Sequence, residues 1–245
     1  MRRMRERGWI RTLATTEAPA IRLVCFAHSG GSATAFNRWA PALPPGVELL
    51  AVQYPGRSDR IAEPLVDDVV EMAAHVAAEL GGGDQVLFGH SLGALVAYET
   101  ALLLRDQGRE PSLLCLSSCL PPGQMTNREI HAAPDEEFWA ELRALGGIDP
   151  GIAEDVELRE LVAPAIRSDL RAHATYRPRG EVKPLSCPVR CYHGVGDPLV
   201  DERRLPEWAA ITTGEFTLRT RPGGHFHVAE DVPGLIADIL RRGLG

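Results

Sequence analysis

The sequence lacks any long apolar run. No stretch approaches the roughly 18 uncharged apolar residues that a membrane-spanning helix needs. The basic start, Met1–Arg7, is followed by Trp9 and Ile10, but Arg11 then interrupts before the apolar segment of a signal peptide develops. We therefore expect no membrane association and no export signal, and we expect a cytoplasmic protein.

Excess positive charge and a paired set of cysteines are also missing. The net charge of −7 argues against nucleic acid as the main partner. Five cysteines are an odd number, which without an export signal predicts reduced thiols. Cys115/Cys119 and Cys187/Cys191 each lie in a strand-like run, where four residues span about 13 Å, too far for one zinc ion. We expect buried thiols and no metal site.

The composition that remains is that of an ordinary globular protein. Hydrophobic residues make up 44% and charged residues 24% of 245 residues, a length that suits one α/β domain spanning residues 1–245. Residues 1–20 are expected to form no regular element, with Trp9 as an anchor. Thereafter strand-like runs alternate with helical periodicity, which predicts an α/β fold with a mostly parallel central sheet and helices on both faces. The predicted strands are 21–26, 47–52, 85–88, 113–116, 188–192 and 216–219, and the clearest helices are 66–80 and 232–241.

Residues 122–184 break this alternation. They contain two amphipathic stretches, Glu136–Leu145 and Asp155–Tyr176, and no clear strand. A single crossover helix would need far fewer residues. We interpret the segment as a helical insertion that lies over the active site, although a plain crossover is the alternative.

The pentapeptide Gly89-His90-Ser91-Leu92-Gly93 organises the rest of the chain. It lies between the strand-like run 85–88 and a helical stretch, the context in which G-x-S-x-G forms a nucleophile elbow. Its two glycines allow the strand and helix backbones to approach closely. Ser91 then lies at a helix N-terminus, where free N–H groups favour developing negative charge. The sequence predicts Ser91 as a catalytic nucleophile, and an inert strand–helix turn is the alternative.

A nucleophilic serine needs a base and a group that orients the base. Asp197 follows one predicted strand and His225 follows another, and the order Ser, Asp, His is typical of α/β-hydrolases. Asp201 and His227 are the competing candidates. Asp201 is expected deeper in the next helix, and His227 is expected in a helical first turn. His28 and His90 flank the site and are not assigned as the base.

A glycine pair also follows the first strand, in His28-Ser29-Gly30-Gly31. Such a loop supplies the second oxyanion donor in hydrolases built around an elbow. We predict that the backbone N–H groups of Leu92 and Ser29 form the oxyanion hole, the alternative being a plain turn.

Taken together, these segments resemble the type II thioesterases that accompany modular polyketide synthases and nonribosomal peptide synthetases. The resemblance runs from Trp9 to the last helix and includes lid motifs at Phe138, Gly146-Gly147, Pro164 and Arg167-Ser168-Asp169. It implies an α/β-hydrolase fold with a helical lid at approximately 122–184. The segments that carry it are Cys25-Phe26-Ala27-His28-Ser29-Gly30-Gly31, Tyr54-Pro55-Gly56-Arg57-Ser58-Asp59-Arg60, Phe88-Gly89-His90-Ser91-Leu92-Gly93 and Gly223-Gly224-His225-Phe226.

The resemblance also implies a function. Acyl groups would be hydrolysed from the phosphopantetheine arm of acyl or peptidyl carrier proteins, by a monomer with no cofactor of its own. Ala27, Ser29, Leu92 and Ser168 depart from the usual family residues and would alter pocket shape, not the catalytic groups. Carrier proteins tend to be acidic, so basic side chains are candidates for docking: Arg159, Arg167, Arg171, Arg177 and Arg179.

Three rival functions remain open. The first is a small-molecule carboxylesterase or lipase of the same fold. The second is a cyclising release domain of a synthase, and the third is a binding module without catalytic activity.

Overall fold

A single seven-stranded sheet forms the centre of the computed structural model, which describes residues 8–124, 129–144, 152, 154–178, 180 and 183–241. The spatial order of the strands is β1-β3-β2-β4-β5-β6-β7. Neighbouring strands are parallel except for β1 and β3, which are antiparallel. The predicted mostly parallel sheet is confirmed. The strands are β1 (Ile10–Ala14), β2 (Ile21–Phe26), β3 (Val47–Val52), β4 (Gln85–His90), β5 (Leu113–Ser117), β6 (Val189–Gly194) and β7 (Phe216–Arg221).

The central strands consist almost entirely of apolar residues because helices cover both faces of the sheet. Every residue of β4 and β5 is buried. Two groups of helices pack separately: α1 lies against α2, whereas α5 lies against the 3-10 helix Ala33–Ala42. The α-helices are α1 (Val69–Glu79), α2 (Leu92–Asp106), α3 (Asp135–Ala144), α4 (Val156–Thr175) and α5 (Val232–Leu240).

The expectation that residues 1–20 form no regular element is wrong for Ile10–Ala14, which form β1. This strand lies at the edge of the sheet and is mostly half-buried, so its sequence shows no apolar run. Trp9 is an anchor as expected, since its backbone N–H donates to Oε2 of Glu79 at 2.6 Å. Its indole stacks on the ring of His75 at a centroid distance of 4.7 Å.

The segment between β5 and β6 is helical in its described part. It holds the 3-10 helix Glu129–Ala132, α3 and α4, and no described residue between 122 and 184 lies in a strand. The ends of α3 and α4 differ from the two predicted stretches by one residue each. Gly146 and Gly147 lie outside the described residues.

This insertion has a small core of its own. Phe138, Trp139 and Leu142 of α3 are buried against Ile166 of α4. That core stabilises the pair of helices as a unit, because an amphipathic helix needs a partner to bury its apolar face.

None of the helices that the described residues form is long and apolar enough to cross a bilayer. No group of three His, Cys, Asp or Glu side chains among the described residues is arranged to hold a metal ion. All five cysteines are free and buried.

Candidate active site

The elbow brings the start of α2 against the end of β2. A Cβ atom on Gly93 would lie 2.2 Å from the carbonyl oxygen of Phe26, which is less than any van der Waals contact allows. A residue with a side chain would push the helix away from the strand. The glycine after the serine therefore fixes where α2 begins relative to the sheet.

Ser91 occupies a backbone conformation that residues with side chains rarely adopt. Its φ is 55° and its ψ is −121°, a conformation that costs of the order of 1–3 kcal/mol. Its N–H donates to the carbonyl oxygen of Ser117 on the neighbouring strand at 2.8 Å. The sheet thus holds the strained turn and places Ser91 at the N-terminus of α2, as predicted.

Asp197 and His225 meet at the carboxyl ends of β6 and β7. Nδ1 of His225 lies 2.9 Å from Oδ2 of Asp197, and both residues are less than a tenth exposed. The two loops that carry them are joined by a hydrogen bond from the N–H of Gly196 to the carbonyl oxygen of Gly223 at 2.9 Å. Because parallel strands end at the same edge of the sheet, these loops adjoin the elbow.

His90 shows where Ser91 lies relative to Asp197 and His225. Its ring lies 5.2 Å from the ring of His225, centroid to centroid, and Ser91 follows it directly in the chain. The structure therefore places the three sequence-predicted residues, Ser91, Asp197 and His225, at one edge of the sheet.

The surroundings of Asp197 favour its ionised form. Burial by itself raises the pKa of this carboxyl, but the hydrogen bond and the charge of His225 outweigh burial and lower the pKa below its usual range. The N–H of Leu199 donates to Oδ1 at 2.9 Å and acts in the same direction. Asp197 can therefore fix the tautomer of His225 and stabilise its cation.

The two competing candidates have other partners. Asp201 forms the N-cap of the 3-10 helix Glu202–Ile211 and an ion pair with Arg203 at 2.9 Å. His227 is buried, with Nε2 3.0 Å from the hydroxyl of Ser117. Of the two aspartates, Asp197 is the one that contacts His225. Of the two histidines, His225 is the one that contacts Asp197.

Four further histidines surround His225 and favour the neutral form. Burial, followed by the charge of His225, lowers the pKa of His28 and of His173 to about 4 and that of His90 well below its usual value. Burial and the nearby Arg221 lower the pKa of His227 to about 4. Any second imidazolium here would repel a protonated His225. The lowered pKa values keep these four neighbouring rings neutral.

The loop after β2 is a β-turn that leaves one N–H unused. The N–H of Gly31 donates to the carbonyl oxygen of His28 at 2.9 Å, and Gly30 has a φ of 78°, as a type II turn requires. The N–H of Gly30 donates to Oδ2 of Asp169 at 2.7 Å. Within the described part of the chain, the backbone N–H groups of Ser29 and Leu92 have no hydrogen-bond partner. Both are available to an oxyanion.

Sequence reasoning missed two serines at the end of β5. The hydroxyl of Ser117 lies 3.0 Å from Nδ1 of His90 and 3.0 Å from Nε2 of His227, so it joins the two rings. The hydroxyl of Ser118 donates to the carbonyl oxygen of His225 at 3.1 Å and also lies within reach of Asp197. The only sequence signal was their place after a predicted strand.

Sequence reasoning also gave no role to His173 and Asp169, although the resemblance had included Asp169 in a motif. Both lie on α4, far along the chain from every strand end that carries a predicted catalytic group. Their position depends on how the insertion folds over the sheet, which helical periodicity does not reveal.

Comparisons with known proteins agree with this architecture. The family model of the thioesterase domain matches residues 21–242. The thioesterase PikA5 of Streptomyces venezuelae is 43% identical over 94% of this chain and 84% of its own length. The gramicidin S biosynthesis protein GrsT of Aneurinibacillus migulanus is 31% identical over 91% of this chain and 88% of its own length.

Among solved structures, the type II thioesterase BorB of the borrelidin biosynthetic cluster superposes with a TM-score of 0.87. It is 40% identical, and the match covers 95% of this chain and 98% of BorB. The strand–turn–helix elbow at Ser91, the strand order and the near-complete coverage lead to one conclusion. The chain belongs to the thioesterase domain family.

Proposed function

We propose that this protein is a type II thioesterase, which removes aberrant or stalled acyl groups from the phosphopantetheine arm of carrier proteins. The observation that carries the proposal is a match to BorB, a type II thioesterase, that spans 98% of that chain. The phenyloxazoline synthase MbtB of Mycobacterium tuberculosis is less similar, at 33% identity compared with 40% for BorB. This difference in identity supports an editing enzyme over a synthase's release domain.

In the proposed acylation step, Oγ of Ser91 attacks the thioester carbonyl carbon while His225 takes the hydroxyl proton. The carbonyl π pair moves to oxygen, and the N–H groups of Leu92 and Ser29 stabilise the resulting oxyanion. When the intermediate collapses, the C–S bond breaks. The proton on His225 then passes to the departing phosphopantetheine thiolate.

In the proposed deacylation step, His225 takes a proton from water as the water oxygen attacks the acyl-serine carbonyl. The second oxyanion occupies the same hole. Its collapse returns the electron pair to the carbonyl, breaks the bond to Oγ and gives the proton back to Ser91. Asp197 stays ionised throughout and balances the charge of His225. No cofactor is needed, because phosphopantetheine arrives on the substrate.

Fewer arginines remain candidates for docking a carrier protein than the sequence suggested. Arg167 is engaged within the insertion, where it donates to Asp135 at 2.8 Å and stacks on Phe138 at 3.9 Å. Arg159 is half-buried and lies over the ring of Trp139. Arg171 and Arg177 are exposed and remain the proposed contacts for an acidic carrier protein. Arg171 pairs with Asp67 at 2.9 Å, but this ion pair lies at the surface, where a partner's carboxylate can replace Asp67 at little cost. Arg179 lies outside the described residues.

The test is hydrolysis of a panel of acyl-loaded carrier proteins, compared with a p-nitrophenyl ester of the same acyl group. We expect the carrier thioester to have the higher kcat/KM, and Ser91→Ala to lower it by at least about 10³-fold. Ser112→Ala is the matched control, because Ser112 lies at the amino end of β5 and Ser91 lies at the carboxyl ends of the strands. Faster turnover of the free oxyester would favour a carboxylesterase. Equal rates for wild type and Ser91→Ala would exclude Ser91 as the nucleophile.

A further inference from the structure

A fully buried carboxylate on α4 contacts the loop that supplies the second oxyanion donor. Asp169 is 0% exposed, and its Oδ2 accepts the N–H of Gly30 at 2.7 Å. The two residues are 139 positions apart in sequence. One of them belongs to the insertion and the other to the turn after β2.

Arg57 neutralises this carboxylate. Its Nη2 donates to Oδ1 of Asp169 at 2.9 Å, and its Nη1 donates to Oδ2. Arg57 is 6% exposed and also donates through Nε to the carbonyl oxygen of Pro55 at 3.1 Å. Both charges are thus buried and paired in a bidentate geometry, the arrangement in which an Arg–carboxylate pair is most directional.

The hydrogen bond to Asp169 fixes the peptide unit between Ser29 and Gly30. In a type II turn this central peptide can rotate as a unit, which would exchange the directions of the Ser29 carbonyl and the Gly30 N–H. Rotation would point a carbonyl oxygen at the buried carboxylate, which repels it. Asp169 therefore selects one orientation of this peptide, and with it the shape of the turn in which the N–H of Ser29 lies.

Apolar packing acts at the same place. A Cβ atom on Gly30 would lie 2.6 Å from Cγ1 of Ile166, one turn before Asp169 on α4. The helix therefore covers the turn with an aliphatic side chain and holds it with a carboxylate.

We propose that Asp169 is a positioning residue for the oxyanion hole, acting through Gly30 and supported by Arg57. The helix α4 is then part of the catalytic machinery as well as part of the insertion. This inference rests on the proposed roles of Ser91 and Ser29 and applies to any ester that Ser91 attacks.

The experiment compares wild type with Asp169→Asn on p-nitrophenyl acetate. It also measures inhibition by an alkyl trifluoromethyl ketone, which forms a tetrahedral adduct on a catalytic serine and places an oxyanion in the hole. We expect kcat to fall by about 10- to 10²-fold, below the loss for a missing donor. KM should stay within about threefold, and the inhibition constant should rise by the same factor as kcat falls.

Tyr176→Phe is the matched control. Tyr176 follows α4 directly, and its hydroxyl donates to the buried Glu99 at 2.7 Å, so the substitution removes one buried hydrogen bond of the insertion away from the turn. It should lower the melting temperature without changing the inhibition constant. If Asp169→Asn does not fold, Arg57→Lys replaces it, since lysine keeps the charge and loses the bidentate geometry.

An unchanged inhibition constant in the folded Asp169 or Arg57 variant would overturn the inference. So would an equal rise in Tyr176→Phe at a similar loss of melting temperature. The proposed function fails separately: wild type would then turn over the p-nitrophenyl ester and leave carrier thioesters intact, and the effect of Asp169 on the ketone could still be observed.

Discussion

A Cβ atom on Gly89 would lie 2.2 Å from the carbonyl oxygen of Gly93. The end of β4 and the first turn of α2 are therefore in contact through backbone atoms, with Ser91 at the apex between them. The obstructing atoms belong to the main chain, so no side-chain rotation can make room. The pattern G-x-S-x-G is in this protein a steric requirement of the turn.

Gly89→Ala should consequently prevent stable folding or cost several kcal/mol, because backbone must move to accept the methyl group. Gly82→Ala is the matched control, since a Cβ there meets no atom within 4 Å. Urea unfolding of both variants checks this, with the control within about 0.5 kcal/mol of wild type or more stable. A Gly89→Ala variant as stable as wild type would show that the elbow can relax.

Asp197→Asn should lower kcat by about 10⁴-fold while the protein remains folded, because an amide does not impose the tautomer that His225 needs. The measurement is steady-state hydrolysis together with a thermal melt. Asp201→Asn is the comparison that the sequence itself suggests. It breaks an exposed ion pair with Arg203 and weakens a helix cap, so we expect near-normal kcat. Equal losses in the two variants would contradict the role given to Asp197.

Most of the sheet could be predicted from the sequence because its strands are buried on both faces. Leu23, Leu87 and Leu114 belong to apolar runs that only a covered parallel sheet requires. Ile10–Ala14 escaped prediction for the opposite reason. An edge strand with one partner needs few apolar residues, and Arg11 and Thr12 gave it no recognisable pattern.

The positions of the candidate catalytic residues were predictable because each follows a strand or a glycine-rich turn at one sheet edge. The residues that surround them were not. Asp169 and His173 reach the site from α4, and Ser118 reaches it from the neighbouring strand end. Contacts of this kind depend on tertiary packing, and a serine or aspartate with such a role has no local pattern to distinguish it.

The five thiols should be unreactive in the folded protein. Burial raises the pKa of every cysteine, that of Cys115 and Cys187 to about 12. At pH 8 each is therefore protonated as well as inaccessible. Titration with Ellman's reagent should show almost no reaction in buffer and five thiols after unfolding in guanidinium. Rapid reaction of even one thiol in buffer would show that the sheet opens locally.

Finally, stability should fall as the pH falls from about 6.5 towards 4. His28, His173 and His227 have pKa values lowered to about 4 in the folded protein, whereas unfolded histidines have a pKa of about 6.5. Between these values the unfolded chain binds more protons, so acid favours unfolding. Each histidine can contribute a slope of up to about 1.4 kcal/mol per pH unit. Above pH 6.5 these groups contribute no slope.

The free energy of unfolding in urea, measured at intervals from pH 7.5 to 4.5, checks this dependence. The variant His173→Gln removes one of the three groups and should flatten the profile below pH 6.5 relative to wild type. The lowered pKa of Asp197 does not interfere, because its contribution is lost only at lower pH, as that carboxylate becomes protonated. Parallel profiles for wild type and His173→Gln would mean that His173 is hydrated in the folded state.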